Sequence, residues 1–185
     1  MKKVILAALG LLLMAGAVFA QAPDTAYVGL FADVDRLTWS AYHIDPPMTD
    51  FMMYIYWLPS VDGFQGSEFK VSYPANVLKG LVTTNSRIVV SLGSLSTGIS
   101  VVLAEGDCQP PGVWIETHHQ ECTLLSITPS IIEIVAHPTV GYYQVAICDE
   151  NFSIRPVKKF TNLCLNSACA TATESKTWGA IKSLF

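Results

Sequence analysis

Charged side chains are scarce in this sequence, and basic ones are the scarcer kind. Only 14% of the 185 residues are charged, and 11 Lys and Arg stand against 15 Asp and Glu, which gives a net charge of −4. Beyond the N-terminal segment, Lys158-Lys159 is the only pair of adjacent basic residues. Because proteins that bind nucleic acid carry a basic patch or stripe, the composition argues against a nucleic-acid partner.

Signatures of catalysis and of metal binding are also missing. The sequence has no Gly-x-Ser-x-Gly elbow, no His-Glu-x-x-His, no Cys-x-x-Cys pair and neither glycine-rich nucleotide-binding motif. We therefore predict no cofactor, no bound metal and no enzymatic activity.

The first 20 residues have the pattern of an export signal. Lys2 and Lys3 precede an apolar run from Val4 to Val18, and the small residues Val18 and Ala20 stand at the spacing that signal peptidase requires. The run has about 15 residues, whereas a membrane-spanning helix needs roughly 20. An uncleaved anchor is the alternative. Residues 1–20 are thus predicted to be a signal helix that is removed, which leaves no membrane span in a bacterial protein that is secreted, periplasmic or held at the cell surface.

The remaining chain reads as short strands separated by turns. Its apolar runs are rich in Val, Ile, Tyr, Phe and Thr, which favour strands, and Pro, Gly, Asp and Asn stand between them. Residues 74–81 are interpreted as one helical turn or a loop. An all-β antiparallel sandwich of about nine strands, with a jelly-roll or immunoglobulin-like topology, is expected over residues 21–167. The predicted strands are 26–32, 51–58, 67–73, 87–92, 98–104, 122–128, 131–136, 142–148 and 157–165.

Five cysteines are expected to form disulfides if the chain is exported. They are Cys108, Cys122, Cys148, Cys164 and Cys169. The sequence favours Cys108–Cys122 and Cys164–Cys169 and leaves Cys148 free. A Cys148–Cys164 bridge is equally compatible with neighbouring strands, and any one of the five could instead be a small buried apolar residue.

One polar cluster and three aromatic residues are the candidate ligand-binding positions. In WIETHHQEC, residues 114–122, Glu116 and His118 are two apart, so on a strand they would share a face while His119 points the other way. A polar loop tip is the simpler interpretation of this segment. Trp39, Tyr42 and Trp114 fall in loop-like stretches and are predicted to form an exposed contact surface.

The C-terminus is predicted to be an attachment tail. Residues 168–177 are small and polar and are typical of a tether, so residues 168–185 are assigned to tether and tail. Trp178, Ile181, Leu184 and Phe185 follow at the spacing of one helical face. So short a helix is unstable alone in water, so this face must dock either on its own domain or on another protein.

Several stretches carry a resemblance to known proteins. YIYWLPSVDGFQGSEFKVSYPANV, SLGSLSTGISVVLAEGDC and HPTVGYYQVAIC resemble uncharacterised secreted proteins of environmental bacteria, and ESKTWGAIKSLF is similar to a short Trp-Gly-x-x-Lys tail found on many of them. The Glu-Phe-x-Val-x-Tyr strand resembles those of cohesin-like and immunoglobulin-like sandwiches. The cohesin resemblance implies a protein-binding face and no catalytic residues.

The hypothesis that follows is an exported, non-catalytic binding or structural module. Its partner would be another extracellular or cell-surface protein, or a glycan. The alternative is an extracellular hydrolase or carbohydrate-binding protein that uses the loop aromatics and the Glu116, His118 and His119 cluster.

Overall fold

The computed structural model describes residues 22–40 and 42–169. The predicted signal segment and the helical face of the tail lie outside these residues. The described part of the chain contains no helix, and therefore no helix that is long and apolar enough to cross a membrane. It forms twelve strands rather than about nine: β1 (Tyr27–Phe31), β2 (Thr49–Leu58), β3 (Gly66–Ser72), β4 (Val77–Thr84), β5 (Ile88–Ser94), β6 (Gly98–Leu103), β7 (Ile115–Leu124), β8 (Ser130–Val135), β9 (Gln144–Ala146), β10 (Ile154–Pro156), β11 (Lys158–Thr161) and β12 (Leu163–Leu165).

The strands form two sheets. The first has the order β11-β1-β2-β7-β4, and the second has the order β10-β9-β3-β6-β5, with β8 pairing both β3 and β12. All pairs are antiparallel except β1 and β11, which run parallel. The predicted antiparallel sandwich is thus confirmed in its main feature, and the parallel pair is an addition that the sequence did not indicate.

Alternation of apolar and polar residues places the core between the sheets. In β3 the buried Phe69 and Val71 alternate with residues that are partly or fully exposed. Strands β1 and β2 are buried or half-buried on both sides over most of their length, because aromatic rings and the loop after β1 cover the outer face of the first sheet. At the centre of the core the Trp57 ring lies 5.5 Å from the ring of Phe64 and 5.5 Å from that of Phe69.

Three predicted elements were placed wrongly. Residues 74–81 are not helical, since β4 begins at Val77 and pairs with β7. The strand predicted at 122–128 is β7, which begins at Ile115, so the WIETHHQEC segment is mostly strand and not a polar loop tip. The single strand predicted at 157–165 is two strands, because the chain leaves the first sheet after Thr161 and enters the second at Leu163.

Two disulfides tie the ends of the strands. Cys164–Cys169 is present as predicted, but Cys108 pairs with Cys148 and Cys122 is a buried free thiol, so Cys108–Cys122 and Cys148–Cys164 are both wrong. Gly63 permits the first bridge, since a Cβ there would lie 2.8 and 2.9 Å from its two sulfurs. The N–H of Cys169 also donates to Ser40 Oγ, which fixes the beginning of the predicted tether to the sandwich.

Candidate protein-binding surfaces

A β-bulge in β7 decides which polar residues meet. Along the β2–β7 ladder Ile55 pairs with His118, but the next residue, Tyr56, pairs with Glu116, so Thr117 is an extra residue in β7. Thr117 and His118 are both fully buried. The prediction that Glu116 and His118 share a face is therefore wrong. Glu116 instead shares the outer face with His119, whose Nδ1 lies 2.7 Å from the Glu116 carboxylate.

The outer face of the first sheet carries an aromatic cluster around these two residues. The Tyr56 hydroxyl lies 3.3 Å from Glu116 and donates to the backbone oxygen of Val34 at 3.0 Å. The Arg36 guanidinium stacks on the rings of Tyr56 and Trp114, at 5.2 and 5.7 Å from their centroids. The rings of Phe31 and Phe160 pack against Trp114 from below.

The cluster holds the loop that follows β1 against the sheet. The Asp33 carboxylate accepts hydrogen bonds from the N–H groups of Leu37 and Thr38, which closes the loop, and Val34 and Arg36 contact Tyr56. Burial and the Glu116 carboxylate raise the pKa of Tyr56 to about 12, so its hydroxyl stays protonated. The side chains of Tyr56, Glu116 and His119 contact one another, and together with the aromatic rings they pack the loop onto the sheet.

His118 lies inside the sandwich and not at this surface. Its ring packs edge-on against Phe69, with 6.2 Å between centroids, and neither ring nitrogen has a hydrogen-bond partner among the described residues. Burial, with a smaller effect of His119, lowers the pKa of His118 to about 4. No group of His, Cys, Asp and Glu that could hold a metal ion occurs in the described part of the chain.

The three aromatic candidates lie at two separate places. Trp114 belongs to the outer-face cluster just described. Trp39 and Tyr42 lie beside β12, where the Trp39 carbonyl accepts from the N–H of Cys164 and the Tyr42 N–H donates to the Cys164 carbonyl. The Tyr42 ring also packs against the core, 6.1 Å from the ring of Phe51. The structure therefore does not bring the three together in one contact surface.

A different surface is exposed and apolar, on the outer face of the second sheet. Val90 and Leu92 of β5 point outward beside Val102 of β6, and all three are exposed. Glu68 of β3 lies next to them and accepts hydrogen bonds from Ser100 (2.9 Å) and Gln144 (2.5 Å). We call this surface the β5–β6 face; its residues are Val90, Leu92 and Val102 with the polar group Glu68, Ser100 and Gln144.

Sequence reasoning did not find the β5–β6 face, although the sequence carries a signal for it. Residues 88–104 form β5, a turn and β6, and this stretch contains no charged side chain. A solvated hairpin normally carries charge on its outer face, because one face of an antiparallel sheet meets water. The hairpin of β5 and β6 departs from this pattern.

Known structures share this architecture. The sixth cohesin of scaffoldin B from Acetivibrio cellulolyticus, solved in complex with a mutant Cel5 dockerin, superposes with a TM-score of 0.53 and 12% identity, over 77% of this chain and 99% of that one. A non-cellulosomal cohesin from Archaeoglobus fulgidus gives 0.52 and 12%, over 80% and 94% of the two chains. The seventh ScaB type I cohesin from Pseudobacteroides cellulosolvens gives 0.51 and 14%, over 81% and 96%.

Similarity in sequence does not accompany this similarity in structure. No known protein family matches the sequence, and no relative is found among curated proteins. The superpositions nevertheless cover nearly all of each cohesin domain and therefore extend over the antiparallel-rich sandwich described above. The chain has a cohesin-like fold.

Proposed function

We propose that this protein is an exported, non-catalytic module that binds another protein through the β5–β6 face. The observation that carries the proposal is the group of exposed apolar side chains Val90, Leu92 and Val102 on a sheet face that no other described element covers. Protein interfaces contain apolar patches of this kind, in which charged side chains are rare. Cohesins of the same fold were solved in complex with dockerins, which are protein partners.

The polar group of the β5–β6 face supports the same function. Glu68 is the one charged residue of the face, and its two carboxylate oxygens accept from Ser100 and Gln144. A carboxylate that already has partners costs less to bury than a free one, because its hydrogen bonds persist when water leaves. We infer that a partner covers this face with an apolar surface and makes a few hydrogen bonds to the polar group beside it.

The test compares two valines of equal exposure on the two sheets. Val102 on the β5–β6 face is 40% exposed and Val82 on β4 is 37% exposed. A photo-reactive amino acid at position 102 should cross-link a distinct protein of the cell envelope or culture fluid, and mass spectrometry identifies it. With that protein purified, Val102→Lys should weaken binding by at least about tenfold, as hot-spot truncations do, whereas Val82→Lys should leave affinity unchanged.

Two results would refute the proposal. One is that position 102 yields no cross-linked protein, or the same ones as position 82. The other is that Val102→Lys and Val82→Lys have equal effects on the affinity for the purified partner. Circular dichroism of both variants checks that each is folded, which we expect because both side chains are exposed in the wild type.

We further propose that the chain is exported and then retained by its tail. Support comes from the signal pattern of residues 1–20 and from the two disulfides, which persist in oxidising compartments. Deletion of residues 175–185 should leave thermal unfolding unchanged and move the protein from the cell-associated fraction to the culture fluid. A truncated protein that no longer unfolds cooperatively would show instead that Trp178, Ile181, Leu184 and Phe185 dock on the sandwich itself.

A further inference from the structure

Strand β5 differs from the other strands at the borders of the two sheets. An edge strand offers free N–H and C=O groups to any passing chain, and proteins protect such edges with lysine, proline, bulges or covering segments. Strand β4 has a bulge next to Lys79, β11 has Lys158 and Lys159, and β10 has three residues including Arg155 and Pro156. The backbone of Trp39 and Tyr42 covers β12.

Among the described residues, none of these protections is present along most of β5. Its ladder with β6 shifts register once, between Ile88 and Val90, and Gly93 has a positive φ of 91° next to the turn; from Val90 to Ser94 the residues pair one to one with β6. These residues include no charge and no proline. An exposed, uncharged and apolar edge of this kind is a template for strand addition.

The direction of its free backbone groups follows from the ladder. The N–H of Leu103 donates to the carbonyl of Gln65 on the β3 side. Because alternate residues of an antiparallel strand direct their backbone groups to opposite sides, the N–H and C=O groups of Val102 and Ser100 face β5. The N–H and C=O groups of their partners in β5, Val90 and Leu92, face β6 in turn. The N–H and C=O groups of Ser91, at the centre of β5, therefore point away from the sheet.

We propose that β5 pairs antiparallel with β5 of a second copy of this chain, so that two second sheets join into one. Antiparallel addition of a strand to itself is two-fold symmetric and closes after two copies, as most homo-oligomers do. Ser91 is the middle residue of β5, and the symmetry axis lies near it.

A second copy fits this edge because it offers the same unprotected strand and the same outward-facing Val90 and Leu92, and charge does not oppose the pairing. The chain is net negative, so two copies repel one another over most of their surfaces. This repulsion is absent at the hairpin of β5 and β6, because residues 88–104 carry no charge. Pairing there also sets the outward-facing Val90 and Leu92 of one copy beside those of the other, which covers apolar surface that is exposed in the single chain. This inference does not depend on the proposed partner of the β5–β6 face.

The first test measures mass by light scattering after size exclusion, on the purified chain as the expressing cell processes it, from micromolar to several hundred micromolar. The wild type should form a dimer. Ser91→Pro removes one outward N–H and leaves the β6 ladder intact, since proline is tolerated where an edge N–H faces solvent. It should raise the dimer dissociation constant by about tenfold or more, since each copy loses a hydrogen bond.

A second variant and a control keep this test decisive. Ser91→Lys places a charge at the axis and should also give monomers, and circular dichroism shows whether each variant is folded. Position 102 is on the inner strand β6, so the Val102→Lys variant should remain dimeric, although its affinity for the proposed partner should fall. A wild type that is monomeric throughout the range, or a dimer that withstands both Ser91 variants, would overturn the inference without touching the proposed function.

Cross-linking tests the register. Cβ atoms directly opposite across an antiparallel pair are about 5 Å apart, so Ser91→Cys should join two chains through a short bis-maleimide. Ser86→Cys, in the turn before β5, should not, because its counterpart would be roughly 33 Å away along the paired strands. Equal cross-linking of the two variants would show that the copies meet elsewhere.

Discussion

Loss of the Cys108–Cys148 disulfide is expected to lower the free energy of unfolding by about 4 kcal/mol. The bridge spans 40 residues of sequence, and the chain-entropy relation gives a value of this size for a loop of that length. It joins the loop after β6 to the end of β9, so it also fixes the segment around Gly63 that lies against both sulfurs. The variant Cys108→Ala/Cys148→Ala, compared with wild type by urea unfolding, measures the change.

The second disulfide is the matched control. Cys164–Cys169 spans only 5 residues, and the same relation gives about 2 kcal/mol for Cys164→Ala/Cys169→Ala. The two variants should therefore differ by a factor of about two in their loss of stability, since the entropy term grows with the logarithm of the loop length. Equal losses, or a larger loss for the short bridge, would contradict the assignment of the stabilisation to the unfolded chain.

Fold class could be predicted because it depends on alternation, which is local. The alternating Phe69 and Val71 of β3, the doubly apolar β2 and the turn residues between the runs all indicated a sandwich, and the structure has one. Strand β4 was missed because only its first residue, Val77, is buried, so that β4 lacks the alternation by which strands are detected. Its strand conformation comes from pairing with β7.

Pairings over long distance could not be predicted, for a physical reason. Cys148 meets Cys108 because β9 and β6 flank the same strand, β3, and nothing in the sequence near either cysteine specifies this neighbour. The position of a β-bulge is likewise not specified by the local sequence. One extra residue, Thr117, turns His118 into the core and His119 to the surface, and a period-two pattern cannot show where the count changes.

The β5–β6 face could not be predicted from motifs, because motifs of catalysis and metal binding consist of reactive or ligating residues and this face has none of those motifs. Its distinguishing property is the lack of charge over residues 88–104 together with exposure, and exposure becomes known only with the fold. Trp39, Tyr42 and Trp114 attracted attention because aromatic residues in loops suggest contact surfaces. Each lies half-buried against its own domain, since a loop that is closed by hydrogen bonds buries the rings it carries.

Acidification is expected to destabilise this protein through one buried side chain, His118. The unfolded chain takes up a proton on this histidine near its ordinary pKa of 6.5, whereas the folded protein resists until about pH 4. The unfolded state therefore binds more protons in this window, so the free energy of unfolding is constant above pH 6.5 and falls as the pH is lowered. The full loss is about 3 kcal/mol, at no more than about 1.4 kcal/mol per pH unit.

Other groups act at lower pH and can be separated from this effect. Hydrogen bonds lower the pKa values of Asp33, Asp107 and Asp149, so their stabilisation is present above the ordinary carboxyl pKa of 3.8 and is lost as the pH falls below it. The residues that pair with His118 in the sheet, Ile55 and Thr84, do not titrate, and the charge of the neighbouring His119 has a smaller effect than burial. Among the groups whose pKa is shifted from its ordinary value, His118 is the one whose shift spans the window between pH 6.5 and 4.

His118→Leu gives the test, and His43→Gln is the control. Leucine has a similar volume and needs no hydrogen bond, so the variant should be at least as stable as wild type at pH 7.5, because an unpartnered buried polar group is removed. Its free energy of unfolding should be nearly flat between pH 6.5 and 4. His43 is exposed, and its replacement should leave the wild-type curve unchanged. If His118→Leu retained the wild-type decline on acidification, the destabilising proton would have to bind elsewhere in the fold.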